Sequence, residues 1–360
     1  MKGRPIRVLE ATGRGEHRGA VHGAAFYSEI RRYSAERLRL ASNGSWAGRP
    51  ATSEDALDLA SQMLDAHRAY DTDLYEEMTA LAAATNLTIE EVLIVSGFTD
   101  FVDFVRAKGS NTVPEEDDCT AVIVPDDLAG GAGFLAQTWD MHDTATEHVV
   151  LLRVEPETDP AALVFSTVGC LGQIGLNEAG IALGINNLTA SNGKAGVTWP
   201  FVVRKALKQT TIGAALGCIL EADLAGAHNY LLFDSEGNGF NVEAMVGYRA
   251  VSKLEGRPLI HTNHALDDKS RSVEAERPPD LLASSEARLT RAEKVLADRS
   301  GGVDAEHLMA LTRDSEAICR RSEPPHHTES AGAVIMRPQS KQLWASWGLP
   351  SENDFEEFRL

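Results

Sequence analysis

Residues 115–125 read EEDDCTAVIVP. Four consecutive carboxylates, Glu115 to Asp118, repel one another and belong in water. The TAVIV that follows is β-branched and apolar, and reads as the buried start of a strand closed by Pro125. Cys119 stands at the seam between a solvated segment and a core strand. Its position divides the chain into two textures.

Upstream of the seam the hydrophobic pattern is helical. A helix is expected over about residues 20–40, after the glycines of HRGAVHG. Ser53, followed by Glu54 and Asp55, reads as the cap and acidic first turn of a second, with Leu57, Ala60, Met63 and Leu64 on one face. Thr88 before IEEVLIVSGFTDFVDFV, with Glu91 three residues on, reads as a capping box.

Downstream, TAVIV, GFLAQTW, HVVLLRVE, AALVFSTV and IALGINNL are short apolar runs separated by Gly, Pro, Asp or Asn, which is strand-and-turn grammar. Two helices are expected in PFVVRKALKQTTIGAALGCILEADLAG, and hairpin strands around EGNG in the stretch that follows. A surface loop is expected over 267–284, helices over 286–298 and 303–313, and a closing hairpin from AGAVIMRP and KQLWASWG. Strands in adjacent pairs between helical blocks predict an α+β chain with stacked layers and mainly antiparallel sheets.

The bulk properties exclude several classes. At 360 residues, 43% hydrophobic and 24% charged, the chain has the composition of a globular protein with a sizeable core. A formal net charge of -19 and no basic stripe argue against a nucleic-acid partner. No window approaches the ~20 apolar residues of a membrane span, and MKGRPIRVLEATGRGEHRG lacks the apolar core of a signal peptide. Cys119, Cys170, Cys218 and Cys319 are too dispersed for a zinc site or a disulfide framework. A cytoplasmic protein with reduced thiols is expected, without membrane or nucleic-acid partners and with no cofactor or metal. His261 and His264 sit three residues apart in HTNHAL but lack the carboxylates and spacing of a zinc site. The Gly-rich GCLGQIGLNEAG lacks the following helix of a dinucleotide fold, so its glycines are read as tight turns beside a pocket.

A cysteine at the first position of a strand gains a second function if the bond before it is cut. Its thiolate is then the nucleophile and its own α-amine, titrating at roughly 7.7–8.0, is the base. Without such a context a lone Cys-Thr is a buried apolar thiol, which is the reading for Cys170, Cys218 and Cys319.

The context is present. DDCTAVIV, GFLAQTWDM, GQIGLNEAGIALGINNL, HTNHAL and ICR, in that order, resemble the acyl-coenzyme A:isopenicillin N acyltransferase family of self-processing N-terminal-nucleophile hydrolases. The resemblance implies a four-layer αββα sandwich with a helical N-terminal segment. It implies a precursor cut at Asp118–Cys119 into a helical small subunit, 1–118, and a large subunit, 119–360, that stay together as one αβ unit. Cys119 would be the nucleophile, Asp140 the aspartate that orients it, Asn263 the amide that stabilises the oxyanion, and Arg320 an arginine holding the nucleophile's surroundings. Thr120 and Asn186 would line the substrate pocket. Two positions depart from the family: Asp118 stands where glycine is common, and Ala121 where a hydroxyl residue follows the threonine.

The expected activity is cleavage of a small N-acyl amine or N-acyl amino acid through a Cys119 thioester, with acyl transfer to an amine beside it. An acyl-CoA-dependent N-acyltransferase of penicillin type and an uncleaved, non-catalytic binding protein on the same fold are the competing readings. A further homo-oligomer is compatible with either.

Overall fold

The computed structural model describes residues 4–109, 118–297 and 302–360. The strand read at TAVIV runs from Asp118 to Val124 and is buried along its whole length. It is buried because both of its faces are covered.

Among the described residues the N-terminal part holds one strand, β1 (Val8–Thr12), and seven helices. These are α1 (Gly15–Ala25), α2 (Tyr27–Ser42), α3 (Ser53–Ser61), α4 (Leu64–Tyr70), α5 (Thr72–Thr85), α6 (Ile89–Ser96) and α7 (Phe98–Arg106). Six strands follow: β2 (Asp118–Val124), β3 (Phe134–His142), β4 (Val149–Glu155), β5 (Ala162–Thr167), β6 (Ile174–Asn177) and β7 (Ile181–Leu188). After helices α8 (Trp199–Leu207) and α9 (Ile212–Glu221) come β8 (Ala227–Asp234), β9 (Gly239–Met245), β10 (Tyr248–Lys253) and β11 (Leu259–His261). The chain ends with α10 (Asp268–Arg271), α11 (Pro279–Ala297), α12 (Ala305–Thr312), β12 (Thr328–Arg337), β13 (Gln342–Trp347) and β14 (Glu356–Arg359).

The strands form two sheets, ordered β1-β4-β5-β6-β7-β8-β9-β10 and β11-β2-β3-β12-β13-β14. Every pairing is antiparallel except β1 with β4. β2 and β3 lie against β7 and β8, so the sheets stack face to face. α8 and α9 cover the outer face of the larger sheet, and α11 and α12 that of the smaller. The α+β, four-layer αββα sandwich expected from the resemblance is the architecture observed.

Alternation along β2 shows the layering residue by residue. Cys119, Ala121 and Ile123 join the core between the sheets. Val122 and Val124 join the second core under α11 and α12.

The N-terminal helices cap the larger sheet and differ from expectation in four ways. The segment is not purely helical, because VLEAT adds β1 to the sheet edge in parallel with β4. The helix expected over 20–40 is two, broken at Phe26, and the cap expected at Ser53 falls on Thr52, whose side chain accepts from the Asp55 amide. The Thr88–Glu91 capping box forms as read, but its helix stops at Gly97, where a Cβ would sit 2.5 Å from the Thr198 side chain. α1 presses on α5 through its glycines: a Cβ at Gly19 would lie 2.0 Å from the Glu77 carbonyl oxygen.

Three further differences lie downstream. IGLN, inside the glycine-rich stretch, is the short strand β6, and EEFR near the C-terminus is β14. The loop expected over 267–284 contains α10, and α11 begins at Pro279.

A buried ion cluster joins the N-terminal helices to the rest. Glu77 on α5 is held by Arg18 at 2.8 Å and by Arg204 of α8 at 2.9 Å, with all three side chains less than 5% exposed. Burial alone would raise the Glu77 carboxyl, but the two guanidiniums outweigh it and hold it below the usual range. No single described helix is long and apolar enough to cross a membrane; α5 and α6 pass such a test only as a pair bent by 112°.

Candidate active site

Cys119 is the second residue of β2, fully buried, with its side chain on the inter-sheet face. β11 runs antiparallel to β2 with His261 opposite Ala121, which carries Asn263 alongside Cys119. The Cys119 amide N–H donates to Asn263 Oδ1 at 2.7 Å. Two further bonds fix the orientation of that amide. The Asn263 backbone N–H donates to Ser285 Oγ at 2.9 Å, and its Nδ2 donates to the Asn187 carbonyl at 3.2 Å. The oxygen end therefore faces the cysteine and the NH2 end faces β7.

On the opposite face of the same strands lies a row of charged side chains. β2–β3 pairing sets Asp118 against Asp140, and β3–β12 pairing sets Asp140 against Ser330. From α11, Arg288 reaches down onto the row. Its Nη2 donates to Asp118 Oδ1 at 2.8 Å and to Asn263 Oδ1 at 3.1 Å. Its Nη1 donates to the Cys119 carbonyl at 2.5 Å and to Thr120 Oγ1 at 3.3 Å. Arg320 pairs with the other Asp118 oxygen, and its backbone is clipped to Ser330 by two 2.9 Å bonds.

Asp118 is thus a carboxylate shared by two guanidiniums and 1% exposed. This corrects the reading of EEDD as a wholly solvated run. Its last residue is the first of a core strand, and Glu115 to Asp117 lie outside the described residues.

Asp140 has a different environment. One oxygen accepts the Ser330 hydroxyl at 2.5 Å, and the other has no partner among the described residues. Burial pushes its carboxyl up to about 7; Arg288 and the Ser330 bond pull it down, and the neighbouring Asp118 charge pushes it up again. A carboxyl raised by burial, a buried thiol whose amide nitrogen is held by a carboxamide, and two arginines on the preceding residue thus lie together.

The family model described as acyl-coenzyme A:6-aminopenicillanic acid acyl-transferase matches residues 128–352. The chain belongs to this family. The match encloses Asp140, Asn186, Asn263, Arg288 and Arg320, and begins nine residues after Cys119. The acyl-coenzyme A:6-aminopenicillanic-acid-acyltransferase 40 kDa form of Emericella nidulans is 24% identical over 230 residues, which are 63% of this chain and 60% of that relative's length. Among solved structures, a mutant conjugated bile acid hydrolase from Clostridium perfringens aligns with a TM-score of 0.46 at 10% identity, over 67% of this chain and 97% of that one. Penicillin V acylase from Agrobacterium tumefaciens aligns with a TM-score of 0.38 at 12% identity, over 64% and 82%.

Within this acyl-transferase family member, Cys119, Asp118, Asn263 and Arg320 converge on one peptide bond, with Asp140 beside them. Thr120 is close in sequence but points the other way: its side chain lies under Arg288 on the helix-covered face, away from the Cys119 side chain. Asn186 stands in the inter-sheet space, donating to the His261 carbonyl at 3.3 Å and accepting from Asn229 at 3.4 Å. The backbone carbonyl of its neighbour Asn187 holds Asn263. His261 is bound to Glu243 at 3.0 Å, and His264 to Ser285 at 2.8 Å.

Arg288 is the residue that sequence reading missed. Nothing in ASSEARLTRAEK distinguishes it from the other arginines of a solvated helix. Its only signal is three-dimensional: complete burial with four oxygen acceptors.

Proposed function

We propose that the chain is an autoproteolytically activated cysteine hydrolase that cleaves the amide bond of a small N-acyl amine. The observation that carries this reading is the bond from the Cys119 amide nitrogen to Asn263 at 2.7 Å, beside a carbonyl held by Arg288. A peptide nitrogen that is to become a catalytic amine has to be held in place both before and after the cut.

In maturation, Cys119 Sγ adds to the Asp118 carbonyl carbon, the C–N bond breaks, and the nitrogen leaves as the Cys119 amine. Water then hydrolyses the thioester, freeing the Asp118 carboxylate and the thiol. In turnover the same thiol adds to a substrate carbonyl, with the α-amine taking its proton and passing it to the departing amine. Asn263 Nδ2 is the oxyanion donor of this scheme, a role worth about 2.7–4 kcal/mol when lost. Asp140 orients the new ammonium, and Arg288 and Arg320 support the site electrostatically. Met1–Asp118 and Cys119–Leu360 stay together as an αβ unit, for which the buried Arg18–Glu77–Arg204 cluster supplies a physical reason.

A second reading, acyl transfer to an amine, is favoured by the family description and by the name of the Emericella nidulans relative. The two share every step up to the thioester and differ in what attacks it. Incubating the protein with N-acyl amines and following a Cys119 acyl adduct by mass spectrometry tests both. An adduct that decays in buffer supports hydrolysis, and one that decays only on adding an amine supports transfer. No adduct with any amide, from a protein that remains intact, would leave the non-catalytic reading standing.

A further inference from the structure

The Asp118 carboxylate, next to the bond proposed for cleavage, is the counter-ion that Arg288 and Arg320 share. In the intact chain it lies between Arg288, at 2.8 Å, and Arg320, which pairs with its other oxygen. Arg288 is buried, and the Arg320 side chain is 21% exposed. Arg320 also lines a surface cavity of about 370 Å3 with Cys319, Glu323 and His326. Guanidiniums do not give up their proton in proteins, and a buried cation that loses its counter-ion is costly. If the freed C-terminus draws Asp118 out of the pocket, two cations remain. Among the described residues, Asp140 is the carboxylate opposite Asp118 on β3.

We propose that the space vacated by Asp118 is a carboxylate subsite, and that the substrate acyl group is a dicarboxylic one whose distal carboxylate takes that place. The substrate class rests on the thioester reading above; the anion pocket rests on the two arginines alone.

The spacing follows from covalent structure. In Asp118 two carbons, Cα and Cβ, separate the scissile carbonyl from the side-chain carboxylate. The Sγ that attacks this carbonyl in maturation is the one that attacks the substrate, so the group beyond the carbonyl is presented to the same neighbours. A succinyl amide carries its carboxylate at the same separation, a glutaryl amide one methylene farther, and a butanoyl amide has none. In the step itself Sγ bonds to the succinyl carbonyl carbon, the C–N bond breaks and the amine departs with the thiol proton. Water then cleaves the thioester to succinate and thiol. Asp118 is then the built-in occupant of the site before processing.

Two measurements test this, one of them without catalysis. In a Cys119→Ala chain, which cannot cut itself, Asp118→Gly vacates the pocket. Succinate at matched ionic strength should raise the melting temperature of this double variant, leave the Asp118-containing parent unmoved, and lose its effect when Arg288→Gln is added. A double variant that folds only in succinate counts as the same support. Equal response of variant and parent overturns the pocket. The second measurement uses processed wild type and amides of one chromogenic amine. kcat/KM for the succinyl amide should exceed that for the butanoyl amide by roughly tenfold or more, the discrimination of one charge-assisted hydrogen bond. Equal or reversed preference in a cut, active enzyme overturns the substrate class. If the chain does not cut or acylate at all, the enzymatic reading falls, and succinate binding alone decides the pocket.

Discussion

Arg288 and Asp118 meet 2.8 Å apart, each 1% exposed, with the Cys119 carbonyl on the same guanidinium. One side chain of α11 thus grips both residues of the bond proposed for cleavage. Removing one partner of such a pair leaves the other charge buried and alone. Asp118→Asn in the uncut Cys119→Ala chain should cost roughly 3–5 kcal/mol in denaturant unfolding. A loss below about 1 kcal/mol, the worth of an exposed pair, would contradict the burial described.

Asn263 has two separable ends. Its oxygen holds the Cys119 nitrogen, and its NH2 is the proposed oxyanion donor. Asn263→Ala should lower kcat by about 10²–10³ in protein already processed. Comparable kcat in wild type and variant would remove Asn263 from the mechanism.

Asp140 gives a pH signature with a definite sign. Its carboxyl, raised by burial from 3.8 to about 7, stays protonated in the folded chain where the unfolded chain has already ionised. The folded state then binds the extra proton, so this group's stabilisation is complete below about pH 4 and is lost as pH rises through about 7. The slope is at most about 1.4 kcal/mol per pH unit. Subtracting the Asp140→Asn profile from that of its uncut parent should isolate this slope. Identical profiles would show that Asp140 is already ionised.

Glu77 joins the N-terminal helices to α8. Glu77→Gln leaves Arg18 and Arg204 sharing a neutral amide and should lower stability by roughly 3–5 kcal/mol, before or after cleavage. An unchanged melting temperature would mean that this ion cluster does not stabilise the fold.

Much of this was legible because it depends on local chemistry. TAVIV is β-branched and apolar, and it forms β2; Thr88 and Glu91 form their capping box; the EGNG turn joins β8 to β9. The errors fall where tertiary contacts override local pattern. VLEAT is a strand because β4 offers it an edge, and Gly97 ends a helix because Thr198 crowds it. Asp118 looked like the end of a solvated acidic run because the arginines that bury it lie 170 and 202 residues away in sequence. For the same reason Arg288 was invisible, while Asp140, Asn263 and Arg320 entered through the resemblance.

The central claim, that the Asp118–Cys119 bond is opened by its own thiol, is tested most directly by intact mass. Purified wild type should resolve into Met1–Asp118 and Cys119–Leu360, and Cys119→Ala should give one full-length species. A wild type that remains one chain, or a Cys119→Ala variant that is cut equally well, would contradict it.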